Sequence, residues 1–107
     1  MTDVSPAARA LEAAAQRAKT AVTKRERDRA TVEVITRLAP MKSKHVRRVA
    51  ARTGLDLDDA AADWTEALLG ALDRWDPARG VVFVVYLGAC LRWWPAEMAR
   101  RYGHTQR

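Results

Sequence analysis

Any reaction run by this chain would have to use very few groups. Two histidines, His45 and His104, and one cysteine, Cys90, are the side chains suited to nucleophilic, proton-transfer or soft-metal work. The histidines are far apart, Cys90 sits in an apolar stretch, and no His, Cys and Asp grouping has metal-ligand spacing. There is no glycine loop to cradle a phosphate and no nucleophile elbow. The sequence therefore predicts no enzyme, no cofactor and no metal. What remains is binding chemistry. Asp56, Asp58, Asp59, Asp63 and Glu66 crowd a short segment, and the first of these also suit helix capping. Further on, Phe83, Tyr86, Trp93 and Trp94 are interleaved with Arg79 and Arg92, a set of rings and cations.

These groups must be carried by helices. Alanine is the commonest residue, there are only five glycines and four prolines, and the sole β-branched run is Val81 to Val85. Ala, Leu, Glu, Arg and Lys lose little side-chain entropy in a helix, and a lone strand has nothing to pair with. The fold class expected is all-α. Pro6 suits a first turn, and Ala7 to about Leu38 holds one long helix or two. Its weak apolar stripe is Leu11, Ala14, Ala15, Ala18 and Val22; its firmer one is Val32, Val34, Ile35 and Leu38. The charged run Lys24 to Arg29 reads as a solvated face or frayed tail rather than a phosphate-binding arm.

Pro40 should stop or kink that segment. A helix from Met41 to about Arg52 ends at Gly54, and Asp56 or Asp58 caps the next. That helix carries Ala61, Trp64, Leu68, Leu72 and Trp75 at helical spacing, the strongest amphipathic signal in the chain. Asp76 to Gly80 is a turn, Val82 to Trp94 a further helix, and Pro95 kinks it or opens a last short one, Ala96 to Tyr102. The expectation is a compact bundle of four or five helices, with residues 1–39 a basic Ala/Arg-rich helical segment and 40–107 the main helical domain.

At 107 residues and a net charge of +6 the chain has the size of one domain. One cysteine excludes an internal disulfide. The longest apolar stretch, Val81 to Leu91, is too short for a bilayer span, and the first 30 residues lack the apolar centre of a signal peptide. These features point to a cytoplasmic protein with no membrane partner. Charge is unevenly divided: residues 1–54 hold thirteen Lys and Arg against five acids, 55–80 two against seven, and 81–107 four against one. Such a split suits two partners, an anionic one for the basic ends and a basic one for the acidic middle.

From Gly54 onward the chain resembles region 2 of bacterial RNA polymerase sigma factors of the sigma-70 family. The resemblance is carried by Gly54-Leu55-Asp56-Leu57-Asp58-Asp59, by Glu66-Ala67-Leu68-Leu69-Gly70-Ala71-Leu72-Asp73-Arg74-Trp75-Asp76-Pro77-Ala78-Arg79-Gly80, and by Phe83, Tyr86 and Arg92. Val46 to Arg52 resembles the preceding family helix, so residues 46–95, about half of the chain, are covered. In the family the acidic helix grips a basic coiled coil on the largest subunit of core RNA polymerase. The matching positions are Asp59, Asp63, Thr65 and Leu69, with Ala62 where the family usually has Gln. The next family helix opens promoter DNA, stacking aromatic rings on extruded bases and holding phosphates with cations. Phe83, Tyr86 and Arg92 fall on those positions, and Arg79 closes the matched turn. The family's tandem tryptophans align with Ala89 and Cys90, while Trp93-Trp94 lies one turn later as either a shifted wedge or two core rings.

The resemblance thus implies a truncated, single-domain sigma-like factor that binds core RNA polymerase and contacts promoter DNA near the start site. No helix-turn-helix follows before Arg107, so a second protein is expected to supply upstream promoter recognition. Two other readings stay open: a polymerase-binding modulator of transcription without promoter recognition, and a basic helical nucleic-acid binder unrelated to polymerase.

Overall fold

The computed structural model describes residues 5–102, and His104 lies outside them. Local sequence explains where each helix begins and ends. The Ser5 hydroxyl accepts the Ala8 N–H at 3.1 Å, and Pro6 opens α1 (Pro6–Thr20). Three residues later Thr23 caps α2 (Lys24–Arg37) through the Glu26 N–H at 3.1 Å. Residues 7–38 are therefore two helices, folded back as a hairpin. The buried alanines Ala14, Ala15, Ala18 and Ala30 allow the two backbones to approach closely. Pro40 sits in the first turn of α3 (Ala39–Thr53), where its missing N–H costs nothing. Gly54 ends that helix at φ 75°, in the left-handed region open to glycine.

Asp56 caps α4 (Leu57–Arg74) by accepting the Asp58 N–H at 2.7 Å. A short 3-10 turn (Pro77–Arg79), capped by Asp76, leads to α5 (Phe83–Leu91). The chain breaks at Arg92-Trp93 and resumes as α6 (Trp94–Tyr102), with Pro95 in its first turn. Among the described residues all regular structure is helical, as composition predicts. If α5 and α6 are taken as one helix broken near Pro95, the bundle has five members. No helix among the described residues is long and apolar enough to cross a membrane.

The core is one cluster. It runs from Leu11 and the α1 alanines through Val34, Val46 and Val49 to Trp64, Leu68, Trp75, Phe83, Leu87, Trp94 and Met98. The cluster takes in residues on both sides of the boundary at residues 39 and 40. Polar contacts also tie α1 to the later helices. The Glu12 carboxylate accepts the Phe83 N–H at 2.8 Å, capping α5 from 71 residues away. Lys19 Nζ donates to the Leu72 and Asp73 carbonyls at 3.0 and 2.7 Å, at the end of α4 where the helix dipole favours a cation.

Trp64, fully buried on α4, donates its indole N–H to Nδ1 of His45 on α3 at 3.1 Å. That bond requires neutral imidazole with its proton on Nε2. Burial, then the nearby Arg48 and Lys44 charges, hold the His45 pKa below its ordinary value. The unfolded chain thus takes up a proton near pH 6.5 that the fold rejects, so this contribution is complete above that pH and is lost as pH falls below it. Urea midpoints should be lower at about pH 5.5 than at pH 7.5. In His45→Asn, whose amide oxygen keeps an acceptor but cannot titrate, most of that difference should vanish.

Candidate protein-docking face and nucleic-acid interface

The helical period of α4 sorts its carboxylates onto different sides. Ala60, Trp64, Leu68, Ala71 and Leu72 face the core. Asp58, Asp59, Ala62, Glu66, Leu69 and Asp73 all lie exposed, at the spacing of the opposite face. The carboxylates of Asp59, Glu66 and Asp73 make no ion pair or side-chain hydrogen bond among the described residues. Leu69, 41% exposed, adds an apolar contact near the C-terminal end of this face. It also borders a groove shared with Lys19 and Arg27 of the N-terminal hairpin.

Two of the four residues nominated for polymerase contact leave this face. Asp63 points toward α6, where it accepts the Trp94 indole N–H at 2.8 Å and meets Arg101 Nη2 at 3.3 Å. Its charge is committed within the fold. Thr65 is half-buried, and its hydroxyl oxygen is enclosed without a hydrogen-bond partner among the described residues. Asp59 and Leu69 remain on the outward face, joined by Glu66 and Asp73, which the nomination omitted. The signal for those two was present: positions 59, 62, 66, 69 and 73 recur at three- and four-residue steps.

The candidate nucleic-acid residues divide in the same way. Phe83 is 0% exposed, with its ring centroid 5.3 Å from that of Trp75, so its ring belongs to the core and is closed to a base. Trp94, 6% exposed and bonded to Asp63, is likewise a packing residue. Tyr86 is half-buried beside Arg74, whose pKa is held above its ordinary value by the neighbouring Cys90 and Tyr86 side chains. Arg79 is exposed on the 3-10 turn. Arg92 and Trp93 are both exposed, and the Arg92 guanidinium lies 5.1 Å from the Trp93 ring centroid.

No family model, curated protein or solved structure matches the chain.

Arg79 and Arg92 bracket α5, and the surface between them is apolar. Val82 and Val85 are 46% and 60% exposed, and Ala89 follows on the same side. Sequence reasoning assigned Val82 and Val85 no role, although their spacing with Ala89 and Trp93 is helical. Trp93 also lines a groove with Asp63, Glu66, Gly70, Arg74 and Arg101, so the free indole stands next to the carboxylate face of α4. Among the described residues no group of three or more His, Cys, Asp and Glu side chains is placed to hold a metal ion. What this surface presents is charge, apolar contact and one exposed indole, that of Trp93, lying against Arg92.

Proposed function

We propose that the chain is a sigma-like protein that docks on core RNA polymerase through the outward face of α4 and touches DNA near the start site through Arg92 and Trp93. The observation that carries this reading is the set of unpaired carboxylates Asp59, Glu66 and Asp73 beside Leu69, on one helix face of an otherwise basic protein. A cationic rod lying along α4 would meet a carboxylate on every second turn, at Asp59, Glu66 and Asp73, with Ala62 and Leu69 between them. Charge complementarity of this kind speeds encounter and fixes register. The clamp coiled coil of the largest polymerase subunit is the partner that the sigma resemblance implies, and the DNA contact rests on the same resemblance.

The test is co-purification with core enzyme. Asp59→Arg combined with Glu66→Arg should abolish it, whereas Asp63→Asn, whose side chain serves α6, should retain it. Unchanged co-purification of the double variant would refute the docking face.

One observation favours a second reading. With Phe83 and Trp94 in the core, Trp93 is the one exposed ring of the four aromatic candidates. Stacking is worth about 1–3 kcal/mol per base, so one ring supplies little toward holding a melted strand. A factor that occupies the polymerase clamp without opening DNA, and competes there with a resident sigma, fits that supply. Fluorescence of 2-aminopurine placed in a promoter separates the two, since only the first reading expects an increase.

A further inference from the structure

We propose that the outward face of α3 is a second, separate docking strip, shaped for the phosphate backbone of a nucleic acid and indifferent to its sequence. Helix α3 holds Lys42, Lys44, Arg47, Arg48 and Arg52 and not one acidic residue. Its inner side is spent on the core through Val46, Val49 and Thr53, each at most 5% exposed. Lys44, Arg47, Arg48 and Arg52 stand exposed on the other side, and none of them forms an ion pair among the described residues.

The contrast with α2 is what singles out this strip. By sequence alone Lys24 to Arg29 is the densest cationic run. In the structure, however, α2 also carries Glu26, Asp28 and Glu33, and Lys24 pairs with Asp28 at 2.7 Å while Arg37 and Arg17 pair with Glu33 at 2.8 and 2.6 Å. Arg25, Arg27 and Arg29 also form no ion pair among the described residues, but with five cations against three acids α2 nets +2, whereas the five cations of α3 face no acid and net +5, so the larger share of the positive charge sits on α3.

Lys44, Arg48 and Arg52 follow each other at four-residue steps and span about 12 Å of helix axis. A duplex carries one charge per about 1.7 Å of its axis, so about seven phosphates lie within that reach. Arginine, the main component, binds phosphate oxygens in a bidentate fork. Other polyanions fit less well. An anionic bilayer takes an amphipathic helix by its apolar face, and here that face is in the core. An acidic protein partner would need an aromatic or aliphatic anchor at the centre of the contact; between Lys44, Arg48 and Arg52 the outward side of α3 exposes only Ala51, and the exposed Leu57 lies at its edge, in a groove with Lys42, Arg47 and the acidic Asp58.

The experiment uses the full chain and no polymerase, so its result is separate from co-purification. Anisotropy of a fluorescein-labelled duplex of arbitrary sequence is measured against salt concentration. Removing three phosphate contacts should flatten the plot of log affinity against log salt by about 2.7, at about 0.9 per contact. That is expected of Lys44→Ala, Arg48→Ala, Arg52→Ala. The charge-matched Arg25→Ala, Arg27→Ala, Arg29→Ala on α2 should change the slope by less than about 1. The charge-preserving Lys44→Arg, Arg48→Lys, Arg52→Lys should keep the full slope, which guards against misreading a folding defect. Equal flattening by the α2 and α3 triples would overturn the proposal in favour of diffuse net charge. So would an unchanged slope in the α3 triple, or displacement of the duplex by phosphatidylserine vesicles at equal charge concentration.

Discussion

Phe83→Ala is expected to lower the free energy of unfolding by about 3–5 kcal/mol, the usual cost of deleting a buried aromatic ring. The ring is fully enclosed and tilts against Trp75, whose own N–H is held by the Val81 carbonyl at 2.8 Å. Emptying this position would leave a cavity where the turn after α4 meets α5. Typical domains are stable by about 5–15 kcal/mol, so the loss would be a large share of the total. Phe83→Leu, which keeps most of the volume, should cost less than about 1.5 kcal/mol. Urea denaturation of both variants measures this directly. A ring that served bases instead would give the opposite pattern, with near-normal stability and a loss of DNA affinity.

Asp63→Ala should cost about 1.5–3 kcal/mol, the range for a hydrogen bond to a charged group. The substitution leaves the buried Trp94 N–H without an acceptor and frees Arg101 from one of its two carboxylates. Asp63→Asn should lose less than about 1 kcal/mol, because the amide oxygen still accepts from Trp94 and only a half-exposed ion pair is given up. The pair of urea curves separates the two contributions. Equal losses in both variants would assign the effect to Arg101 and leave the indole bond without weight.

Phe83 and Asp63 mark the limit of what local sequence determines in this chain. Most helix ends were legible because their causes are local, Gly54 at positive φ and Asp56 accepting from Asp58 among them; Pro40, expected to stop or kink the chain ahead of a helix from Met41, lies instead within the first turn of α3, which begins at Ala39. The core stripe of α4 was legible for the same reason, with one shift, since Ala60 is buried and Ala61 only half so. Whether residues 7–38 form one helix or two turned on Thr23, a capping residue within a run that lacks glycine and proline. The side on which Asp63 lies was not legible. It depends on where Trp94 packs, 31 residues away, and no periodicity within α4 carries that information. Phe83 misleads in the same way: an aromatic at a family stacking position is free for a base only if nothing else covers it, and here Trp75 does. The single cluster joining residues 1–39 to the rest is apolar, and the polar ties that reinforce it come from Glu12 and Lys19, two ordinary charged residues until their distant partners are known.

Those two contacts also govern the order of events during synthesis. Chains leave the ribosome N-terminus first at about 5–20 residues per second. The hairpin of α1 and α2 can close as soon as its own residues emerge, yet Glu12 must wait for Phe83 and Lys19 for Leu72 and Asp73. Of these helices α1 is thus made first but is among the last to be secured, and the hairpin waits without its later partners until α4 and α5 have followed it. Within the hairpin itself only local contacts are then on hand, among them the Arg17–Glu33 bridge between its two helices and the paired charges along α2.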